Sequence, residues 1–262
     1  MGGCHHPWAA LAVEFLVLVF VQFSTTITDM AIHFDSVASD VTHLVTTAQN
    51  RFFEIDDFPE VSRGAVARTL SRLAGSGELK RVRRGTYWRG VQTPLGMVPP
   101  SPMAILKHTY GSSAPLGPAR LDAAGMLGLT TQVAARPTFA VPYLVEGLDF
   151  NLIKRDRRRG RQTQNLRPLE IALYEVLGDW DELVEIAPRE AVRRISSLLR
   201  GGDLRAQELA RGVNSEPPLV RERLRGILRA TQETQAERVI RPAASETVRQ
   251  SLVNTFGELV QV

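Results

Sequence analysis

The stretch that decides the fold runs from Val61 to Arg89, VSRGAVARTLSRLAGSGELKRVRRGTYWR. Ser62 is a good helix N-cap, because its hydroxyl can accept a hydrogen bond from a first-turn N–H that has no partner inside the helix. Val66, Leu70 and Leu73 follow at i, i+4 and i+7, one apolar face of a helix. Gly75-Ser76-Gly77 stops it, with glycine available for the left-handed position beyond the last turn. Gly64, Arg68 and Arg72 lie opposite the apolar face, with Ala65 beside them. The outward face is therefore basic, and its small residues admit close approach of another surface. Leu79 and Val82 flank Lys80-Arg81, and Arg83-Arg84-Gly85 turns the chain into Thr86-Tyr87-Trp88. Strand residues alternate faces, so Leu79 and Val82 can both turn to a core only through a bulge or a bent strand entry.

Charge gathers in the same place. From residue 62 to 90, Arg63, Arg68, Arg72, Lys80, Arg81, Arg83, Arg84 and Arg89 face one acid, Glu78. The local net is +7 in a chain whose net is +4, so all other residues sum to −3. Lys80, Lys107 and Lys154 are the lysines among 32 basic residues, a skew to arginine that a GC-rich genome produces by itself. Position, not arginine number, carries the argument. A helix with outward arginines followed by an arginine-tipped hairpin is the layout of a winged helix-turn-helix, whose recognition helix enters the major groove while the wing meets backbone or minor groove. The plainer alternative is a helix and hairpin with a solvated basic face. The expected DNA-contact set is Ser62, Arg63, Gly64, Arg68, Arg72, Lys80, Arg81, Arg83, Arg84 and Tyr87.

Upstream, Trp8 to Phe23 is apolar apart from Glu14 and Gln22, shorter than the ~20 residues a membrane helix needs. It also lacks the basic start of a signal peptide. Residues 1–29 read as an over-long gene start, with Met30 as the true beginning; a membrane anchor or a helix packed on the domain are the alternatives. Cys4, His5 and His6 have no distant partners that would complete a metal site. Asp35 to Gln49 reads as a helix with Val37, Val41, Leu44 and Val45 along one side, Arg51–Glu54 as a strand, and Ile55–Phe58 as a short helix ended at Pro59. Asp56 and Asp57 suit its first turn, where the helix dipole favours acids.

Residues 91–103 hold Pro94, Pro99, Pro100 and Pro102, so this segment reads as an extended, semi-rigid linker between residues 30–90 and a second domain, 104–231. In that second domain, helices are expected over Met103–Tyr110 and Leu121–Leu127. Strands are expected over Thr138–Val141 and Leu148–Ile153, with Gly147 as a turn between them. Four helices should follow, over Pro168–Leu177, Pro188–Leu199, Leu204–Arg211 and Pro217–Thr231, three of them with proline first, where its missing N–H does no harm. The last pair has helix-turn-helix spacing, but Glu208, Glu216 and Glu222 dilute its charge, so it reads as a packed hairpin. Residues 232–262 read as a polar, partly disordered tail. The fold class is α+β: an N-terminal winged helix-turn-helix domain plus a C-terminal mixed domain of small β-sheet and helices.

Several motifs carry a resemblance. AVARTLSRLAGSGELKRVRRGTYW in the first domain, LGLTTQV within Gly125–Val141, NLRPLEIALYEVL and EPPLVRERL occur in this order. Together they resemble the AbiEi-type antitoxins and transcriptional regulators of type IV toxin–antitoxin systems, over roughly residues 35 to 230. The resemblance implies a repressor of its own promoter, bound as double-stranded DNA with repeated half-sites, and encoded beside a nucleotidyltransferase-like toxin that it opposes. It implies a cytoplasmic protein, which one cysteine also fits. The alternative is a stand-alone winged-helix regulator whose second domain senses a ligand or dimerises.

A second basic run, KRDRRRGR, contains Lys154, Arg155, Arg157, Arg158, Arg159 and Arg161 against Asp156. It reads either as an arm contacting nucleic-acid phosphates, as a contact for the toxin or its substrate, or as a solvated hairpin tip. No Walker loop, no GxGxxG after a strand, no GxSxG and no HExxH is present. Beyond His108 there is neither His nor Cys, which removes a His-dependent triad or a Cys/His metal site from the second domain. Asp179, Asp181, Glu182 and Glu185 read as a solvated acidic face rather than a Mg²⁺ site. The expectation is a binding protein with no catalytic residues, cofactor or metal.

Overall fold

The computed structural model describes residues 38–155, 161 and 165–243. The expectations for residues 1–37, including the apolar stretch, Met30 and Val37, and those for Arg157, Arg158 and Arg159 lie outside them. The chain divides into two compact units, up to Pro100 and from Ser101 onward.

The described residues of the first unit open with helix α1, residues 38–47, and continue with β1 (Arg51–Glu54), a short 3-10 helix (Ile55–Asp57), α2 (Arg63–Gly75), β2 (Lys80–Arg83) and β3 (Thr86–Arg89). The three strands form an antiparallel sheet in the order β1-β3-β2. This is the winged-helix arrangement. Its core is Val41, Val45, Phe53, Phe58, Val66, Leu70, Leu73, Leu79 and Tyr87. The i, i+4, i+7 residues of α2 are thus all buried, whereas Leu44 is 44% exposed and does not join Val41 and Val45. One turn of α1 buries i and i+4, and Leu44 falls beside that stripe. The pairing of β2 with β3 shifts between Arg81 and Arg83, which places a bulge at Val82 and lets Leu79 reach the core. Helix α2 ends as Gly77 takes φ 79° and the Leu79 N–H returns to Leu73 O at 3.0 Å.

Residues 91–98 are not the extended linker that their prolines suggest. β4 (Gln92–Thr93) and β5 (Gly96–Met97) pair as a hairpin, with the Val98 N–H on Val91 O at 2.9 Å. The Trp88 indole donates to Val98 O at 3.0 Å, and a side chain at Gly90 would lie 2.2 Å from that same oxygen. Ladder bonds and one buried indole hold a turn here that composition alone hides.

The second unit contains α3 (Pro102–Tyr110), β6 (Gly117–Pro118), α4 (Arg120–Met126), β7 (Thr138–Val141) and β8 (Asn151–Lys154). Helices α5 (Pro168–Gly178), α6 (Trp180–Leu183), α7 (Pro188–Arg200), α8 (Ala206–Gly212), α9 (Pro218–Ala230) and α10 (Thr234–Val239) follow. From Glu170 to Leu177 every residue of α5 is buried. A helix surrounded on all sides is the axis of its core. The α4, α7, α8 and α9 residues Ala124, Ile195, Leu209 and Leu224 share that core with it.

Three expectations change. β7 and β8 run parallel, in the register Thr138↔Asn151 to Val141↔Lys154, so residues 142–150 are a crossover and not a hairpin turn at Gly147. β6 supplies the antiparallel neighbour on the other side of β7. Pro218, not Pro217, takes the first helical position of α9. The supposed tail is built into the core as far as residue 243: Ala236, Ile240 and Ala243 are buried. Spaced apolar residues too few to show periodicity anchor it.

Candidate nucleic-acid interface

The outward face of α2 carries Arg63, Gly64, Arg68, Ser71, Arg72 and Gly75, all exposed. Ser62 caps the helix, its Oγ accepting from the Ala65 N–H at 3.4 Å. Ala65, placed beside the basic face by a helical wheel, is buried at 7%. Side chains of a helix lean toward its N-terminus, and Arg68 does so: its Nη1 lies 3.6 Å from the point a Cβ on Gly64 would occupy. Arg68 has no hydrogen-bond or ion-pair partner among the described residues.

Its neighbours are tethered. Arg72 donates through Nη2 to Thr42 Oγ1 at 3.1 Å, which holds it against α1. Arg63 pairs with Asp56, and both side chains are almost three-quarters exposed. An ion pair that open contributes only about 0–1 kcal/mol, so a phosphate can replace Asp56 with little cost. Asp57 has a separate task, accepting from the Glu54 N–H at 2.8 Å to close the 3-10 turn.

The wing divides in the same way. Lys80, Arg81 and Arg84 are exposed and have no partner among the described residues. Gly85 takes φ 82° beside Arg84, so the tip needs a glycine. Arg83, expected to contact phosphate, folds back to Glu54 at 3.5 Å, and that carboxylate also accepts from Thr86 Oγ1 at 2.7 Å. Tyr87 is a correction: it is only 5% exposed and belongs to the core. Its hydroxyl emerges from beneath α2 to meet Ser71 Oγ at 3.2 Å. Strand alternation sends Tyr87 inward, opposite Phe53 in the register. Ser71 joins the exposed face without having been expected there, although its place beside Arg68 on the wheel, on the side away from Arg72, is legible.

The second basic run is organised differently. Arg155 makes a two-nitrogen contact with Glu175, Nε at 3.0 Å and Nη2 at 2.7 Å from Oε2. Arg161 is 2% exposed, with Nη1 on Glu175 at 2.8 Å and Nη2 on Glu216 at 2.9 Å. Burial alone would raise the Glu175 carboxyl, but the hydrogen bonds and charge of Arg155 and Arg161 hold it below the ordinary range. The Tyr174 hydroxyl, pushed up by burial and then by Glu216, stays a neutral donor to Leu209 O at 2.6 Å. Arg155 and Arg161 are therefore internal ion partners rather than phosphate contacts. Lys154 is exposed on the end of β8.

Of the acids expected to be a solvated face, Asp181, Glu182 and Glu185 are exposed, and each still has a partner. Arg120 bridges Asp179 and Glu182, each at 3.1 Å, and Arg223 holds Asp181 at 2.7 Å. Glu185 accepts from Thr130 Oγ1 at 2.7 Å and the Thr131 N–H at 2.9 Å, clasping the LGLTTQV segment. Those bonds, led by Thr130, lower its carboxyl to about 2. Among the described residues there is no group of three metal-ligating side chains, and no helix long and apolar enough to cross a membrane.

No protein-family model and no curated protein matches the chain. Among solved structures, the crystal structure of the Rv2827c protein from Mycobacterium tuberculosis is similar at a TM-score of 0.45 and 15% identity, over 84% of this chain and 81% of that one. A likeness of that degree says nothing about function.

Proposed function

We propose that the first unit binds double-stranded DNA sequence-specifically and that the protein represses its own promoter. The observation that carries this reading is the row of exposed cations without internal partners, Arg68 on α2 and Lys80, Arg81 and Arg84 on the wing. Arg68 lies in the half of α2 nearer its N-terminus, the part of a recognition helix that reaches base edges. Arg63 and Arg72 flank it, available to phosphates once their weak tethers exchange. Base contact specifies and phosphate contact positions. Footprinting on the protein's own upstream region tests this reading: a protected site that Arg68→Ala leaves equally protected overturns the recognition-helix assignment.

Antitoxin activity toward a nucleotidyltransferase-like toxin extends this reading, and its support is the resemblance of the quoted motifs. Expressing the neighbouring toxin from a foreign promoter separates neutralisation from repression. Growth rescue by the full chain supports the antitoxin role, and no rescue leaves a stand-alone regulator.

A further inference from the structure

A cleft of about 720 Å³ opens in the second unit, lined by residues of α4, β7, β8, α6 and the segment 132–136. We propose that it binds a small organic anion: one carboxylate or phosphate group on an apolar body. This is independent of the nucleic-acid reading, since every lining residue lies between Arg120 and Leu183.

The volume lies within the roughly 300–1,000 Å³ of small-molecule sites. The charge within it is uneven. Arg120, Arg136 and Glu182 are its ionised lining groups. Arg120 and Glu182 satisfy each other at 3.1 Å, and Arg120 is further held by Asp179. Arg136 is left over: it is exposed and has no partner among the described residues. The exposed Asn151 carboxamide is likewise without a side-chain partner among the described residues. The Arg136 guanidinium and the Asn151 amide nitrogen are thus available donors for an anionic head group. Leu121, Ala134, Ala135, Ile153 and Leu183 supply an apolar wall for the rest of the molecule.

The walls are fixed before any ligand arrives. Arg120 sits at φ 56°, a left-handed conformation rare for a side chain of this size, and its two acids hold the guanidinium in place. Asp122 accepts from the Thr138 N–H at 2.8 Å, joining α4 to β7, and Glu185 clasps Thr130 and Thr131 just before the lining segment. Preorganisation of this kind lowers the ordering entropy of binding.

The test is calorimetric titration of the full chain with 1-naphthyl phosphate, 1-naphthoate and neutral 1-naphthalenemethanol. Saturable one-to-one binding of at least one anion is expected, with the alcohol about tenfold weaker or more, the worth of one charge-assisted hydrogen bond. Which anion binds tighter assigns the head group as phosphate or carboxylate. Arg136→Gln should weaken binding by about the same factor without changing the melting temperature, and Ala135→Trp should abolish binding by filling the cleft. Failure of both anions to saturate, equal binding of the alcohol, or an unchanged Arg136→Gln would each overturn the site.

Discussion

The wing-and-helix region and the segment around Arg161 are both rich in arginine, and their cations meet opposite fates. In the first, Arg68, Lys80, Arg81 and Arg84 stand in solvent with no internal partner among the described residues. In the second, Arg155 and Arg161 are consumed by Glu175 and Glu216 inside the protein. Within a basic run, only the cations to which the fold supplies no acid are left available to a partner. Sequence alone puts Glu175 and Glu216 far from Arg161, and only the packing of α5 and the start of α9 brings them together.

The largest effect that sharpens this contrast is on stability. Glu216→Ala leaves Arg161 short of one of its two carboxylates at a nearly dry site, and breaking such a buried pair typically destabilises by about 3–5 kcal/mol. Urea denaturation followed by tryptophan fluorescence should show that loss. Arg68→Ala, in contrast, should stay within about 0.5 kcal/mol of the parent in the same assay, since it removes no internal hydrogen bond or ion pair. Equal destabilisation by the two variants would erase the distinction between the regions.

Binding gives the next effect. A bidentate base contact by Arg68 predicts a loss of about 1–3 kcal/mol in operator affinity for Arg68→Ala, with relaxed preference at one base pair. Tyr87→Phe should cost about 0.5–1.5 kcal/mol of stability by removing the bond to Ser71, with operator affinity retained once folded. A Tyr87→Phe protein that folds normally yet no longer binds DNA would return Tyr87 to the interface.

The smallest effect is on pH dependence. Hydrogen bonds from Thr130, the Thr131 N–H and Gln132 hold Glu185 at about 2, below its ordinary 4.5. A lowered carboxylate contributes stability that is fully present above the unfolded value and disappears as pH falls through the folded one. Melting temperatures of the parent and Glu185→Gln should therefore differ above pH 4.5 and converge as pH approaches 2. A constant difference across that range would mean the clasp does not depend on the ionised carboxylate.

Much of the first unit is legible in the sequence because its signals are local. Ser62, the Val66-Leu70-Leu73 stripe and the glycines at 75 and 77 act within one helix, and the Leu79–Val82 spacing demands the bulge that the register shows. The 91–98 hairpin is hidden because its strands are only two residues long and part of its hold comes from Trp88 and the tight approach at Gly90, outside its own ladder. The parallel pairing of β7 with β8 is hidden because strand direction is a tertiary property. At the candidate interface the arginines of α2 can be read from charge and period, but the fates of Arg83 and Tyr87 cannot. They depend on Glu54 and on the inward face of β3.

The most direct measurement of the central claim is the salt dependence of operator binding by the Lys80→Ala/Arg81→Ala/Arg84→Ala protein. Removing one phosphate-bound cation should flatten the plot of log affinity against log salt by about 0.9, so removing all three should take roughly 2.7 from the parent's slope. An unchanged slope in a protein that is still folded would show that the unpaired cations of the wing do not face DNA, and would contradict the account.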